Sequence, residues 1–190
     1  MDSLLISTGV VALAEMGDKT QLLAFILAAR FKKPIPIILG ILAATIINHG
    51  LAGALGAWIT SIVNPEVLRW ILGASFIGMA IWTLIPDKIE EEETQVAKHL
   101  GVFGATFITF FLAEMGDKTQ LATIALAAHY AAPLVVVVGT TLGMLIADVP
   151  AVFVGNKFAA KIPMKLVHSI AAAIFAIMGI LTLLEVDKLF

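Results

Sequence analysis

Apolar residues run along this chain in six blocks separated by short polar or proline-bearing breaks. Each block reaches the length, about 20 residues, that a single helix needs to cross the hydrocarbon core of a bilayer. The pattern predicts helices over 4–29, 35–60, 67–86, 101–128, 134–155 and 166–186. Pro34, Pro65, Pro133 and Pro163 fall between blocks or at first helical turns, where a missing N–H is tolerated. The first block follows Met1-Asp2-Ser3 with no basic stretch ahead of it, so it reads as a retained span and not a cleaved signal. Polar positions inside the blocks are few, and they cluster. The decapeptide LAEMGDKTQL occupies 13–22 and again 112–121, each time within a stretch otherwise apolar enough to span.

The two copies are part of a longer repeat. Their offset is 112 − 13 = 99, and the register holds without a gap beyond the motif: Pro34 maps to Pro133, Gly40 to Gly139, Phe76 to Phe175, Met79 to Met178 and Thr83 to Thr182. One three-helix unit is written twice. An odd number of crossings per unit places the copies in opposite orientations, the plan of many secondary transporters. The predicted architecture is therefore an all-α integral membrane protein of six transmembrane helices arranged as two inverted three-helix repeats. Residues 1–86 form the first repeat, 87–100 an acidic linker and 101–190 the second.

Charge sets the orientation, because short cytoplasmic loops carry the excess of Lys and Arg. Outside the motifs, one side holds Arg30, Lys32, Lys33, Lys88, Lys98, Lys157, Lys161 and Lys165, and the other only Arg69 and Lys188. This places both termini on the external, periplasmic side of an inner membrane, and Glu90–Glu93 in a cytoplasmic loop that reads as a solvated linker.

Composition agrees: 60% of the 190 residues are hydrophobic, 14% are charged, and the mean hydropathy is +1.01. Such a chain cannot cover a soluble domain with polar surface. A net charge of −2 offers no basic footprint for nucleic acid, and zero cysteines remove disulfide, thiolate-metal and cysteine-nucleophile chemistry.

A charged residue at the bilayer centre costs about 2.5–3.5 kcal/mol on lenient insertion scales, so Glu15, Asp18, Glu114 and Asp117 together penalise insertion by roughly 10 kcal/mol or more. A bound cation is the simplest offset. At 100° per residue, Glu15, Asp18 and Gln21 share one helical stripe about 120° wide, and Glu114, Asp117 and Gln120 repeat it, so each helix offers two carboxylates and an amide as expected metal ligands. In inverted copies these faces can meet and gather up to four carboxylates. Like charges in low dielectric cannot all stay ionised; they are protonated, paired with Lys19 and Lys118, or neutralised by a divalent cation. Protons and metal then compete for the same oxygens, as exchange requires. Lys19 follows Glu15 by four residues and Lys118 follows Glu114 by four, a favourable intrahelical pairing. Gly17 and Gly116 weaken the helix inside the motif, which leaves open whether it breaks there. The competing reading is a set of interhelical salt bridges without a ligand.

Other polar positions are secondary. Helix two carries Asn48 and His49, and their equivalents at offset 99 are Ala147 and Asp148. Asp148 reads as supporting or proton-handling, Asn48 as a candidate amide ligand, and His49 as a packing residue with proton relay as its alternative. Met16 and Met115 lie off the carboxylate stripe and are expected to pack in the core. Gly40-x-x-x-Ala44 and Gly139-x-x-x-Gly143 read as close-packing seams, and Trp58, Trp70 and Trp82 as interface anchors.

The duplicated Glu-x-Gly-Asp-Lys-Thr, in these two segments and with an acidic linker between them, resembles the signature of the Gdt family. That family includes Golgi manganese and calcium exchangers and bacterial manganese exporters, and the resemblance covers the whole chain. It implies Glu15, Asp18, Glu114 and Asp117 as binding residues, with Thr20 and Thr119 as companions. The expected function is a secondary transporter that exports a divalent cation, Mn2+ by resemblance and Ca2+ equally allowed by the oxygen donors. No prosthetic group is expected. Export against a 100 mV inside-negative potential costs about 4.6 kcal/mol per divalent ion. No GxxxxGK[ST] loop is present to draw on nucleotide, so protons, or Na+, are the expected counter-ions. A homodimer is compatible with this plan. The alternatives are an exporter of small organic solutes and a metal-dependent membrane enzyme, although no HExxH occurs.

Overall fold

The computed structural model describes residues 2–85, 100–154 and 164–184, which form eight α-helices and no strand among the described residues. The acidic run Glu90–Glu93 and the basic residues Lys88, Lys98, Lys157, Lys161 and Lys188 lie outside them. In chain order the helices are α1 (Asp2–Glu15), α2 (Lys19–Phe31), α3 (Pro34–Ile62), α4 (Pro65–Thr83), α5 (Val102–Glu114), α6 (Lys118–Tyr130), α7 (Pro133–Val154) and α8 (Met164–Leu183). Three of them, over Pro34–Ile62, Pro133–Phe153 and Lys165–Leu183, are long and apolar enough to cross a membrane.

The prolines act where the pattern placed them. Pro34, Pro65 and Pro133 each open a helix, where the lost N–H has no intrahelical acceptor anyway. Asn64 caps α4 by accepting from the Glu66 N–H at 2.9 Å. Helices α2 and α6 both end on a residue in the left-handed conformation, Lys32 (φ 54°) and Ala131 (φ 49°), so the same turn recurs at offset 99.

The expected single helices over 4–29 and 101–128 are each two helices. Gly17 (φ 81°) and Gly116 (φ 77°) adopt a left-handed conformation that ends α1 and α5 within two residues of Glu15 and Glu114. Helices of 14 and 13 residues are about 20 Å long, too short to cross about 30 Å separately. An isolated glycine costs a helix only about 1 kcal/mol relative to alanine, and that left breakage undecided in the sequence.

Packing brings the two units together face to face. Gly40 of α3 lies against Phe103 and Thr106 of α5, and further along Asn48 reaches Phe111, so α3 and α5 run parallel. Equivalently, Gly139 of α7 meets Leu4 and Ser7 of α1, and Gly143 meets Thr8, Val11 and Ala12. A Cβ on Gly143 would fall 2.6 Å from the Thr8 carbonyl oxygen, so the close approach needs glycine there. Helices α4 and α8 run antiparallel, with Gly73 against Leu183 and Ile77 against Gly179. Their equivalent residues Phe76 and Phe175 stack on each other at 6.5 Å, with Met79 and Met178 in the same buried cluster. Phe76 and Phe175, related by the repeat, thus touch each other in the core. Trp58 and Trp70 are exposed near the ends of α3 and α4, as expected of interface anchors.

Candidate cation site

Both helix breaks open onto one buried cluster. Glu15 and Glu114 are the last residues of α1 and α5, and Asp18 and Asp117 are the cap residues that start α2 and α6. All four side chains are buried, with Glu15 and Glu114 at 0% exposure. One oxygen each from Glu15, Glu114 and Asp117 lies within 4.8 Å of the others. Two oxygens bound to one Ca2+ at 2.3–2.6 Å can be at most about 5 Å apart, so this spacing matches a single ion, and a smaller ion needs only a slight contraction. The carbonyl ends of α1 and α5 point to these breaks, while the N-terminal ends of α2 and α6 that start there are capped by Asp18 and Asp117.

The motif holds these carboxylates in place across its own break. Thr20 Oγ1 donates to Glu15 Oε2 at 2.5 Å, and Thr119 Oγ1 to Glu114 Oε2 at 3.0 Å. In each case the partner oxygen Oε1 is buried without a hydrogen-bond partner. Asp18 Oδ1 accepts from the Lys19 N–H at 2.7 Å, while its Oδ2 pairs with Lys118 Nζ at 2.6 Å, an ion pair between the two copies. The charges of Glu114, Asp18 and Asp117 all act on Glu15, and those of Asp117, Asp148 and Lys19 on Glu114.

Several expectations change at this point. The continuous stripe of Glu15, Asp18 and Gln21, and its copy, do not exist, because each glycine turns the chain between the first acid and the second. The same turn removes the unbroken helix on which the Glu15–Lys19 and Glu114–Lys118 pairing depended, and Lys118 reaches Asp18 of the other copy. The amide oxygens of Gln21 and Gln120 accept from the Gly17 and Gly116 N–H groups at 2.9 and 2.8 Å. Met16 is half-buried and Met115 is 56% exposed, so neither packs in the core; the turn faces them outward, away from the acids.

Asp148 is fully buried, with both oxygens free of hydrogen bonds, and it feels the charges of Glu15 and Asp18. His49, its equivalent, is also buried, with both ring nitrogens unpartnered. Asn48 donates from Nδ2 to the Phe111 carbonyl at 3.1 Å, leaving its buried Oδ1 unpartnered. Sequence reasoning missed His168. Its Nε2 lies 2.6 Å from the Met16 carbonyl, which can only accept, so the imidazole donates to a carbonyl that the break exposes. The available signal was the repeat itself, since position 168 maps to Arg69.

Residues 3–91 and 102–189 match the family described as divalent cation/proton antiporter GDT1. The chain belongs to this family. Over 96% of its length and 90% of theirs it is 51% identical to a Vibrio cholerae protein named as a candidate manganese exporter. It is 30% identical to the rice GDT1-like protein 3, over 92% of this chain and 71% of that one. It is 28% identical to the Arabidopsis thaliana GDT1-like protein 5, over 94% and 93%. No solved structure gives a significant match. The family is one of membrane cation transporters, and the apolar helices of this chain agree with membrane residence.

Proposed function

We propose that this protein exports a divalent cation, Mn2+ by preference with Ca2+ also accepted, in exchange for protons across a bacterial inner membrane. The observation that carries the reading is the buried cluster of Glu15, Glu114 and Asp117, whose oxygens converge within 4.8 Å although they come from two copies 99 residues apart. Three carboxylates at that spacing repel one another, and a doubly charged ion or protons relieve the repulsion. Because the same oxygens bind either, loading one cargo expels the other. Asp18, held by Lys118, completes the set when the ion draws it in, and Asp148, on which the charges of Glu15 and Asp18 act, is the proton-handling group beside the acids. Manganese is favoured over calcium by the Vibrio relative's name, while the oxygen donors accept both.

Six crossings in two inverted units fit this exchange. Support comes from the paired helices too short to cross separately, from the antiparallel packing of the equivalent helices α4 and α8, and from the parallel packing of α3 on α5 and α7 on α1. The units are residues 1–86 and 101–190, joined by 87–100, with both termini external by the basic bias of the opposite loops. The test is Mn2+ flux in proteoliposomes under an imposed pH gradient. The wild type moves Mn2+ and dissipates the gradient, whereas Glu15→Gln and Glu114→Gln abolish both. Flux unchanged in both variants defeats the proposal.

A further inference from the structure

The two breaks are built alike but are not held alike. In each, a glutamine four residues beyond the glycine folds back and accepts its N–H: Gln21 from Gly17, Gln120 from Gly116. That bond satisfies a backbone donor left without a helical acceptor, and it turns the amide oxygen, the atom a metal would take, toward the backbone of its own break. The remaining amide N–H groups then differ. Gln21 Nε2 donates to the Ala147 carbonyl of α7 at 2.8 Å, in buried surroundings, 126 residues away in sequence. The equivalent acceptor for Gln120 is the Asn48 carbonyl of α3, and among the described residues Gln120 makes no bond to it.

The sequence explains the difference. Pro150 lies inside α7 where α3 has Leu51, so the Ile146 carbonyl loses its intrahelical donor and the ladder of α7 is one bond short in the turn that holds Ala147. Ala147 also lacks the side chain that Asn48 presents at the matching place, where Asn48 Nδ2 instead crosses to the Phe111 carbonyl. One residue beyond Ala147 stands Asp148, buried, without a hydrogen-bond partner, and within reach of the charges of Glu15 and Asp18. A single amide therefore joins the Gly17 break to the turn of α7 that carries Asp148.

We infer that Gln21 is a positioning residue that fixes the first break and Asp148 relative to one another, and that Gln120 latches only its own break. Neither amide oxygen is a ligand. The two half-sites are consequently unequal: the Gln21 amide ties the first break directly to the turn of α7 that carries Asp148, and the second break has no such amide link to the matching turn of α3. This inference rests on the exchange reading for its transport consequence, but its structural consequence can be read without transport.

Glutamate at either position keeps the acceptor for the glycine N–H and adds a potential ligand. At position 21 alone it also sets a carboxylate oxygen against the Ala147 carbonyl. Apparent Mn2+ affinity in proteoliposomes is expected to fall about tenfold or more in Gln21→Glu and by less than about threefold in Gln120→Glu, with the Mn2+/Ca2+ preference unchanged in both. Equal effects, or a shifted ion preference, overturn the inference. Should Gln21→Glu fail to fold, Gln21→Met and Gln120→Met give the same comparison. Hydrogen exchange on the purified proteins supplies the independent readout. Exposure of the α7 segment around Ala147 is expected to rise in the position 21 variants only, and a rise in neither or in both overturns the inference even where transport is absent. Loss of wild-type Mn2+ flux with the exchange pattern intact would reject the transport reading alone.

Discussion

Gly116→Ala isolates the conformation of the break from everything around it. A Cβ added at Gly116 meets no atom within 4 Å, so the substitution creates no clash, and only the backbone conformation (φ 77°) opposes it. An L-residue there costs about 1–2 kcal/mol. Gly9, in the middle of α1, also has nothing within 4 Å of an added Cβ but is helical. The same methyl group there is expected to stabilise by about 0.5–1 kcal/mol. The two variants add identical atoms into open space and should move stability in opposite directions, by about 2 kcal/mol overall. For a chain of this size that separates their melting temperatures by about 4–8 °C. Thermal unfolding in detergent, followed by intrinsic Trp fluorescence without metal, measures the difference. Function follows the same sign: if the strain is released by partial re-coiling of the break, Glu114 and Asp117 part and Mn2+ affinity falls in Gly116→Ala while Gly9→Ala keeps the wild-type value. Equal melting temperatures with wild-type affinity in both would refute the break as a conformation that glycine is needed to hold.

Three further outcomes are expected. Thr20→Val and Thr119→Val each remove a donor to a buried carboxylate, at a cost of about 1–3 kcal/mol, so each lowers Mn2+ affinity about tenfold in a binding titration without changing expression. Gly143→Val forces side-chain atoms against the Thr8 carbonyl and the Ala12 N–H, which cannot give way, and is expected to lower the melting temperature far more than Gly50→Val, where the added Cβ meets nothing within 4 Å. Mn2+ affinity rises with pH, because each proton bound to a site carboxylate removes a ligand; affinity that is flat between mildly acidic and neutral pH would contradict competition for the same oxygens.

Much of this was written in the chain. The offset of 99, the duplicated acids and the close-packing seams at Gly40 and Gly139 are features of sequence alone, and each has its counterpart in the packing. The breaks at Gly17 and Gly116 were not legible, because a glycine in an apolar helix weighs about 1 kcal/mol, less than tertiary packing can add on either side. Everything downstream of the breaks was misplaced for the same reason. A continuous helix puts Lys19 beside Glu15 and Gln21 beside Asp18, whereas a turned chain sends Lys118 across to Asp18 and Gln21 back to Gly17. Met115 faces outward because the turn reverses the face that a helix would have given it. His168 escaped notice although it stands where the other copy has Arg69, because its partner, the Met16 carbonyl, is exposed only by the break.

The central claim is that one divalent ion sits between the two copies of the motif. Anomalous scattering from crystals grown with Mn2+, recorded at the manganese edge, locates the ion without assumptions about transport. A single peak bounded by Glu15, Glu114 and Asp117, lost in Glu114→Gln, is the result predicted. A peak elsewhere in the helices, with that cluster empty, would contradict the account.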